Sequence, residues 1–320
     1  MKVKKRGTGT SVVRTAPKKK WWRDISHWQL TLMLLPGIIY TFVFNYWPMP
    51  GIVMAFKEFK PRFGIWGSPW VGFDNFKFLF ESTMFWRLMR NTVLYNVAYI
   101  LTGLFFPIFF ALCLERIRKK WSLKILQSSF LLPNFISIII VSFLVYAFLS
   151  PDAGFINNLI VSLGGKPISF YSESKYWPFI LVFVDIWKGT GFSTLIYYGT
   201  IMGIDQNLYD AAEIDGASEL KKIRYVTLPH LKTIVMLILI NSMGGLLNSA
   251  TGLHYNVTMN SGALLPTTDV LGTYVMRGLL NSTNYGGSSA IAFFTEMFGF
   301  VMVLVTNAIV RKVDPDSAMF

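Results

Sequence analysis

"YDAAEIDGASELKKIRYVTLPH" occupies Tyr209–His230, and its reading decides the fold. The stretch is polar and charged, yet it lies between two long apolar runs. Its chemistry predicts two short helices across a turn. Asn207 is placed to N-cap the first, with Asp210 three residues on to reach back as a loose capping box. Asp210 and Glu213 fall in the first turns, where the helix dipole favours anions. Ala211 and Ala212 are strong helix formers that leave a smooth surface for close approach. Gly216 suits the left-handed position that ends a helix. A second helix then starts at Ser218 and carries Lys221, Lys222 and Arg224 toward its end. Leu228-Pro229 stops it and begins the next apolar run, since proline is tolerated in a first helical turn. Helix–helix connections usually span roughly 2–8 residues, whereas Asp205 to His230 spans 26. Such a loop is suited to dock into another protein; the bland alternative is an interfacial connector.

The flanking runs are apolar enough for lipid. Of 320 residues, 53% are hydrophobic and only 15% charged, against about a quarter charged in soluble domains. A spanning helix needs about 20 apolar residues. Six segments qualify: Trp28–Phe56, Thr92–Leu114, Ile125–Leu149, Trp177–Ile204, Leu231–Leu247 and Ala290–Val310. The runs are continuous and do not alternate as barrel strands would. The expected fold class is therefore all-α: an integral membrane protein with six transmembrane helices. A basic segment at 1–27 precedes a transmembrane domain at 28–312, with the polar loop at 205–230 and a short tail at 313–320.

The net charge of +13 flanks the apolar runs rather than tiling one face, which points to anionic lipid and away from nucleic acid. Lysine and arginine crowd the N-terminal segment, 116–124, 221–224 and Arg311-Lys312. By the positive-inside rule these segments, both termini and the opening stretch are cytoplasmic. The first external loop dissents, with Lys57, Lys60, Arg62, Lys77, Arg87 and Arg90. The N-terminal stretch lacks a small-residue cleavage pattern, so a retained first helix is expected rather than a signal peptide. Pro36, Pro107, Pro133 and Lys188-Gly189-Thr190-Gly191 interrupt the runs; the breaks fit either a polar path or ordinary kinks. Cys113, the single cysteine, excludes an intramolecular disulfide and is expected to be packed. His27, His230 and His254 are scattered and form no metal-ligand cluster, and no phosphate-binding G-x-x-x-x-G-K-[ST] pattern is present.

The loop resembles the EAA loop of membrane subunits of ATP-binding-cassette importers: E-A-A, three residues, G, nine residues, I-x-L-P. Here it reads Asp210-Ala211-Ala212, Gly216, Val226, Leu228-Pro229 with every spacing kept. Aspartate replaces glutamate and valine replaces isoleucine. "LMLLPGIIYTFVFNYWPMPGIVMAF" and "WVGFDNFKFLF" are similar to the N-terminal half of carbohydrate-importer permeases of the LplB- and MalF-like, binding-protein-dependent kind. The resemblance implies a bacterial inner-membrane permease subunit, itself no enzyme and without cofactor. It implies pairing with a second homologous permease and docking, through Asp210, Ala211, Ala212, Gly216, Leu228 and Pro229, on two ATPase subunits that hold ATP and magnesium. It also implies delivery of an oligosaccharide, uronate-containing ones among them, by an extracytoplasmic binding protein.

By the same resemblance, substrate contacts fall in the spans flanking the loop. "DIWKGTGFST" (Asp185–Thr194) and "NSMGGLLNS" (Asn241–Ser249) offer an aromatic face at Trp187 and polar groups at Thr190, Asn241, Ser242 and Asn248. Lys188 is an ionisable residue within a span, costly and functional by default. It can meet an acidic sugar, pair with Asp185 three residues earlier, or snorkel. Glu296 is a second intramembrane charge. The segment 253–287 is long for an external connection and predicts a short helix around Asp269–Leu280. Three other classes compete. A cation-coupled secondary carrier of a polar solute would show internal repeats and more intramembrane carboxylates than Asp185 and Glu296. A membrane-embedded enzyme would need clustered acids or a nucleophile–base pair. A pure scaffold has no use for a glycine-interrupted span.

Overall fold

A computed structural model describes residues 28–248, 250–281, 284–315 and 318–319. The basic segment 1–27, Ser249 and parts of the C-terminal tail lie outside the described residues. The chain divides into two units, Met1–Gly51 and Ile52–Phe320. In the first, helix α1 (Trp28–Thr41) runs through Pro36 and continues as a π turn, Phe42–Tyr46, closed by Trp47 N–H on the Phe42 carbonyl at 2.8 Å.

The second unit is a bundle of helices. Its main elements are α2 (Thr83–Glu115), α3 (Lys120–Phe135), α4 (Ile138–Leu149), α5 (Trp177–Met202), α6 (Gln206–Ile214), α7 (Glu219–Lys222), α8 (Leu228–Gly244), α9 (Thr251–Val257), α10 (Leu271–Leu280) and α11 (Tyr285–Val313). Among the described residues there is no β-strand, only an isolated bridge between Lys57 and Trp70. Among the described residues, five helical segments are long and apolar enough to cross a bilayer, and α3–α4 makes a sixth if the bent pair counts as one span. The all-α membrane fold holds.

Several boundaries move. Helix α2 begins at Thr83, not Thr92. At 1.5 Å per residue it is about 50 Å long, well beyond a hydrocarbon core of about 30 Å. Arg87 and Arg90 are thus the first turns of this overlong span, which explains part of the dissenting charge. Lys57 explains more: its buried ammonium donates to the carbonyls of Ile65 (3.0 Å) and Trp66 (2.9 Å). Helix α11 begins at Tyr285, not Ala290. The third run is not one helix, because α3 and α4 meet at 98°. Pro133 sits in the last turn before that break, while Pro36 and Pro107 lie inside unbroken helices. Cys113 is exposed rather than packed.

The expected break at Lys188-Gly189-Thr190-Gly191 is absent, since α5 runs unbroken from Trp177 to Met202. Gly191 serves packing instead. A Cβ there would lie 1.8 Å from the Phe130 carbonyl oxygen of α3. Small residues let membrane helices approach where lipid offers no hydrophobic drive, and here glycine lets α5 press on α3 backbone to backbone.

Two clusters of buried side chains place α5 at the centre of its neighbours. Trp177, Leu181 and Val184 pack with Tyr95 of α2, Val141, Val145 and Leu149 of α4, and Leu253 and Val257 of α9. Toward the other end, Tyr197 and Ile201 pack with Ala111 of α2 and Leu231 of α8. Helix α5 is thus held along its whole length, from the 250–281 end to the 205–230 end.

Candidate functional site

At the 205–230 end, α6 and α7 form the expected helix–turn–helix. The N-cap is Asp205 rather than Asn207: its Oδ1 accepts from Asn207 N–H at 3.0 Å. Asp205 holds the extended backbone angles a cap requires (φ −61°, ψ 123°), whereas Asn207 is already helical. Asp210 does not reach back to a cap; it accepts from Gln206 Nε2 at 3.4 Å. Gly216 ends α6 at φ +73°. Ala217 N–H donates to the Ala212 carbonyl at 2.9 Å and Gly216 N–H to that of Glu213 at 3.0 Å, satisfying carbonyls at the helix end. No atom lies within 4 Å of a Cβ built on Gly216, so the backbone angle alone demands glycine.

The hairpin is clamped on itself. Lys222 Nζ lies 2.7 Å from Glu213 Oε2 and 3.3 Å from Glu219 Oε1. That hydrogen bond holds the Glu213 carboxyl below the usual carboxylate range and raises the Lys222 ammonium. Arg116, at the end of α2, reaches Glu219 at 3.3 Å, and Tyr209 OH meets the buried Thr227 hydroxyl at 2.9 Å. Leu208, Ile214, Leu220 and Tyr225 nonetheless point outward, Ile214 at 87% exposure. Asp210, Ala211, Gly216, Leu228 and Pro229 are exposed and Ala212 is half-buried.

Leu228-Pro229 does not stop the second helix. Residues Ile223–Thr227 form a π turn in which Leu228 N–H donates to the Ile223 carbonyl, and helix runs from Glu219 through Gly244. Proline has no N–H to give the ladder, and the wider turn carries the chain past it into α8.

The middle of the spans separates the expected path residues. Trp187, Asn241 and Asn248 are exposed. Thr190 is buried and its hydroxyl donates to the Ile186 carbonyl; the Ser242 hydroxyl donates to that of Ile238 at 2.8 Å. Glu296 is exposed on α11. Lys188 neither pairs with Asp185 among the described residues nor snorkels. Its ammonium donates to the carbonyls of Pro133 (3.4 Å), Asn134 (3.1 Å) and Ile136 (2.7 Å), the turn where α3 breaks from α4.

At the opposite end of α8 lies a polar node that sequence reasoning passed over. Asp269 is fully buried, 2.6 Å from Arg277, and its Oδ1 accepts from Thr273 at 2.6 Å. Asn91 of α2 donates to the backbone carbonyls of Asp269 (3.0 Å) and Pro266 (3.2 Å). His254 Nδ1 lies 2.9 Å from the Thr268 carbonyl and Nε2 lies 2.9 Å from Tyr99 OH. A protonated Nδ1 donates to the carbonyl, which leaves Nε2 to accept from the phenol. Burial pushes this imidazole down to about 4, so it is neutral. The only sequence signal was an acid and a base eight residues apart across the short helix α10.

Comparison with known proteins identifies the family. The family described as binding-protein-dependent transport system inner membrane component matches residues 103–317. Protein LplB of Bacillus subtilis (strain 168) is 33% identical over 310 residues, covering 97% of this chain and 94% of that protein. The polygalacturonan/rhamnogalacturonan transport system permease protein YteP of the same organism is 34% identical over 283 residues, covering 88% of each. Among solved structures, a chain of a bacterial alginate ABC transporter, in complex with its alginate pentasaccharide-bound periplasmic protein, superposes with a TM-score of 0.82. It is 33% identical and covers 92% of this chain and 98% of that one. With six apolar segments and a helical hairpin before the fifth, this chain belongs to the binding-protein-dependent transport system inner membrane components.

Proposed function

We propose that the chain forms, with a second homologous permease, the membrane path of an ABC importer for an acidic oligosaccharide. An extracytoplasmic binding protein delivers the sugar, and two separate ATPase subunits bind ATP and magnesium. The observation that carries this reading is the 205–230 hairpin. It is clamped internally by Lys222 and Tyr209, yet it turns Leu208, Ile214, Leu220 and Tyr225 to the outside. A short polar loop gains nothing from exposing large apolar groups unless a second protein covers them.

In this reading Asp210, Ala211, Ala212, Gly216, Leu228 and Pro229 dock on an ATPase in the cytoplasm, where both termini also lie. Trp187, Asn241 and Asn248, exposed on or just beyond the two flanking spans, are available to stack on or bond a sugar, with Thr190 and Ser242 beside them. Polygalacturonan and alginate are both polymers of uronic acids, which supports an acidic substrate for this chain as well. Reconstitution with its permease and ATPase partners in liposomes tests the reading. Gly216→Val is expected to cut both uptake and binding-protein-stimulated ATP hydrolysis by on the order of tenfold, and unchanged rates would sink the docking assignment. Uptake of a neutral pentasaccharide as fast as an oligogalacturonate would sink the substrate assignment alone.

A further inference from the structure

The break between α3 and α4 poses a problem of elementary chemistry. The last carbonyls of any helix lack partners within it, and in a bilayer no water is at hand to satisfy them. Here the last turn of α3 ends at Phe135 and the chain swings through 98° into α4. Across the break, Ile136 N–H donates to the Pro133 carbonyl at 3.2 Å. Lys188 serves further carbonyls of this turn. Its ammonium has three N–H bonds, and it lies within hydrogen-bonding distance of three carbonyls, at Pro133, Asn134 and Ile136. The negative end of the α3 dipole favours a cation at this point.

Two further observations tie the lysine to the break. Gly191 stands three residues on, on the same face of α5, where a Cβ would strike the Phe130 carbonyl. Close approach at Gly191 and hydrogen bonds from Lys188 therefore fasten α5 to two successive turns of α3. At about 1.5 Å per residue, Lys188 stands about 21 Å along α5 from Met202, after which the 205–230 hairpin begins. Helix α5 is continuous over that distance.

We propose that Lys188 is a positioning residue, a C-cap donated in trans, that fastens the broken span α3–α4 to α5. Displacement of the 205–230 hairpin is then transmitted along α5 to the break, and α4 follows α5 instead of hinging freely at Ile136. With its three donors engaged on backbone carbonyls, the ammonium is not the group that meets a sugar carboxylate. The transmission part of this inference rests on the reading of 205–230 as the coupling loop; the fastening part does not.

Lys188→Met removes the charge and the donors while keeping length, and Lys188→Arg restores donors. With Cys113→Ser as background, spin labels at Ile140→Cys on α4 and Phe192→Cys on α5 report the spread of distances between the two helices. Both positions are exposed. Lys188→Met is expected to broaden that distribution in the purified chain and Lys188→Arg to narrow it again. In liposomes with the partner subunits, Lys188→Met is expected to keep ATP hydrolysis and lose on the order of tenfold in oligogalacturonate imported per ATP. A distribution that stays narrow overturns the fastening. Broadening with unchanged import per ATP overturns the transmission, and loss confined to acidic over neutral oligosaccharides would make Lys188 a substrate ligand instead. Should Lys188→Met not assemble, Lys188→Gln keeps an uncharged donor and carries the same readouts. The label distances are measured without any ATPase, so a failed coupling-loop reading and a failed fastening give different results.

Discussion

The two ends of α8 follow opposite rules. Beyond Gly244, in the segment 250–281, polar groups are buried and paired within the chain: Asp269 with Arg277 and Thr273, His254 between Tyr99 and Thr268. Before Leu228, in the hairpin, ion pairs lie at the surface and Ile214, Leu220 and Tyr225 face outward. One end draws its partners from this chain, with Asp269 Oδ2 left buried and without a hydrogen bond among the described residues. The other has polar closure but, among the described residues, no cover for these apolar groups, as the proposed docking on a partner requires. Changes at the first end should therefore act on the stability of the isolated chain, and changes at the second on the assembly.

The largest expected effect is at the buried end. Asp269→Ala leaves Arg277, whose side chain is only 17% exposed, without its carboxylate; breaking such a pair costs about 3–5 kcal/mol. A melt of the purified chain in detergent should show the loss, and an unchanged midpoint would erase the contrast. Next comes pH. The His254 imidazole ionises at about 4 when folded, against an ordinary 6.5. Between those values the unfolded chain binds a proton that the folded chain refuses, so stability falls as pH drops through this window. The loss approaches about 3 kcal/mol at its lower edge. His254→Gln should flatten that slope in melts taken from pH 7 to 4.

Smaller effects belong to the hairpin. Gly216→Val forces an L-residue to φ +73°, a local cost of about 1–2 kcal/mol. Its melt should stay near the parent's while ATPase stimulation collapses; a melt as damaged as that of Asp269→Ala would show the hairpin to be structural. The smallest is Lys222→Ala, which frees Glu213 and Glu219. The pair is solvent-screened, so melts should not move, but coupling should become less sensitive to salt. The Glu213 carboxyl is held low by its bond to Lys222. That contribution is present above the ordinary carboxylate value and vanishes as pH falls through the depressed one, a dependence Lys222→Ala should remove.

Apolar run length made the six segments legible, because the bilayer sets a minimum that short-range composition can meet. The hairpin was legible for a related reason, since Gly216 and Ser218 punctuate it locally. Interruptions misled where glycine had two possible uses. Gly191 looked like a break and is a contact, whereas the true break lies in Ile125–Leu149, at Pro133-Asn134 and Ser137, within a run that also carries Gln127, Ser128, Ser129 and Ser142 without breaking there. Distinguishing the two required knowing which backbone faces Gly191, and that is a property of α3. Lys188 stood out correctly as costly, but its partners are 52 to 55 residues away and are backbone atoms that no side-chain pattern announces. The Asp269 node was hidden for the same reason, with Asn91 arriving from a distant helix.

The π turn at Ile223–Thr227 has a geometric consequence. One residue more than an α turn displaces everything before it by about 100° around the helix axis relative to everything after. The outward face of the hairpin and the faces of α8 are thus set out of phase by a single inserted residue. Deleting one residue within 223–227 would rotate the hairpin about that axis while sparing Lys222–Glu213, the cap at Asp205 and the turn at Gly216. Cross-links from Ile214 to the proposed ATPase partner should then land on a different part of its surface, so the phase of this one turn sets which way the hairpin's outward face points.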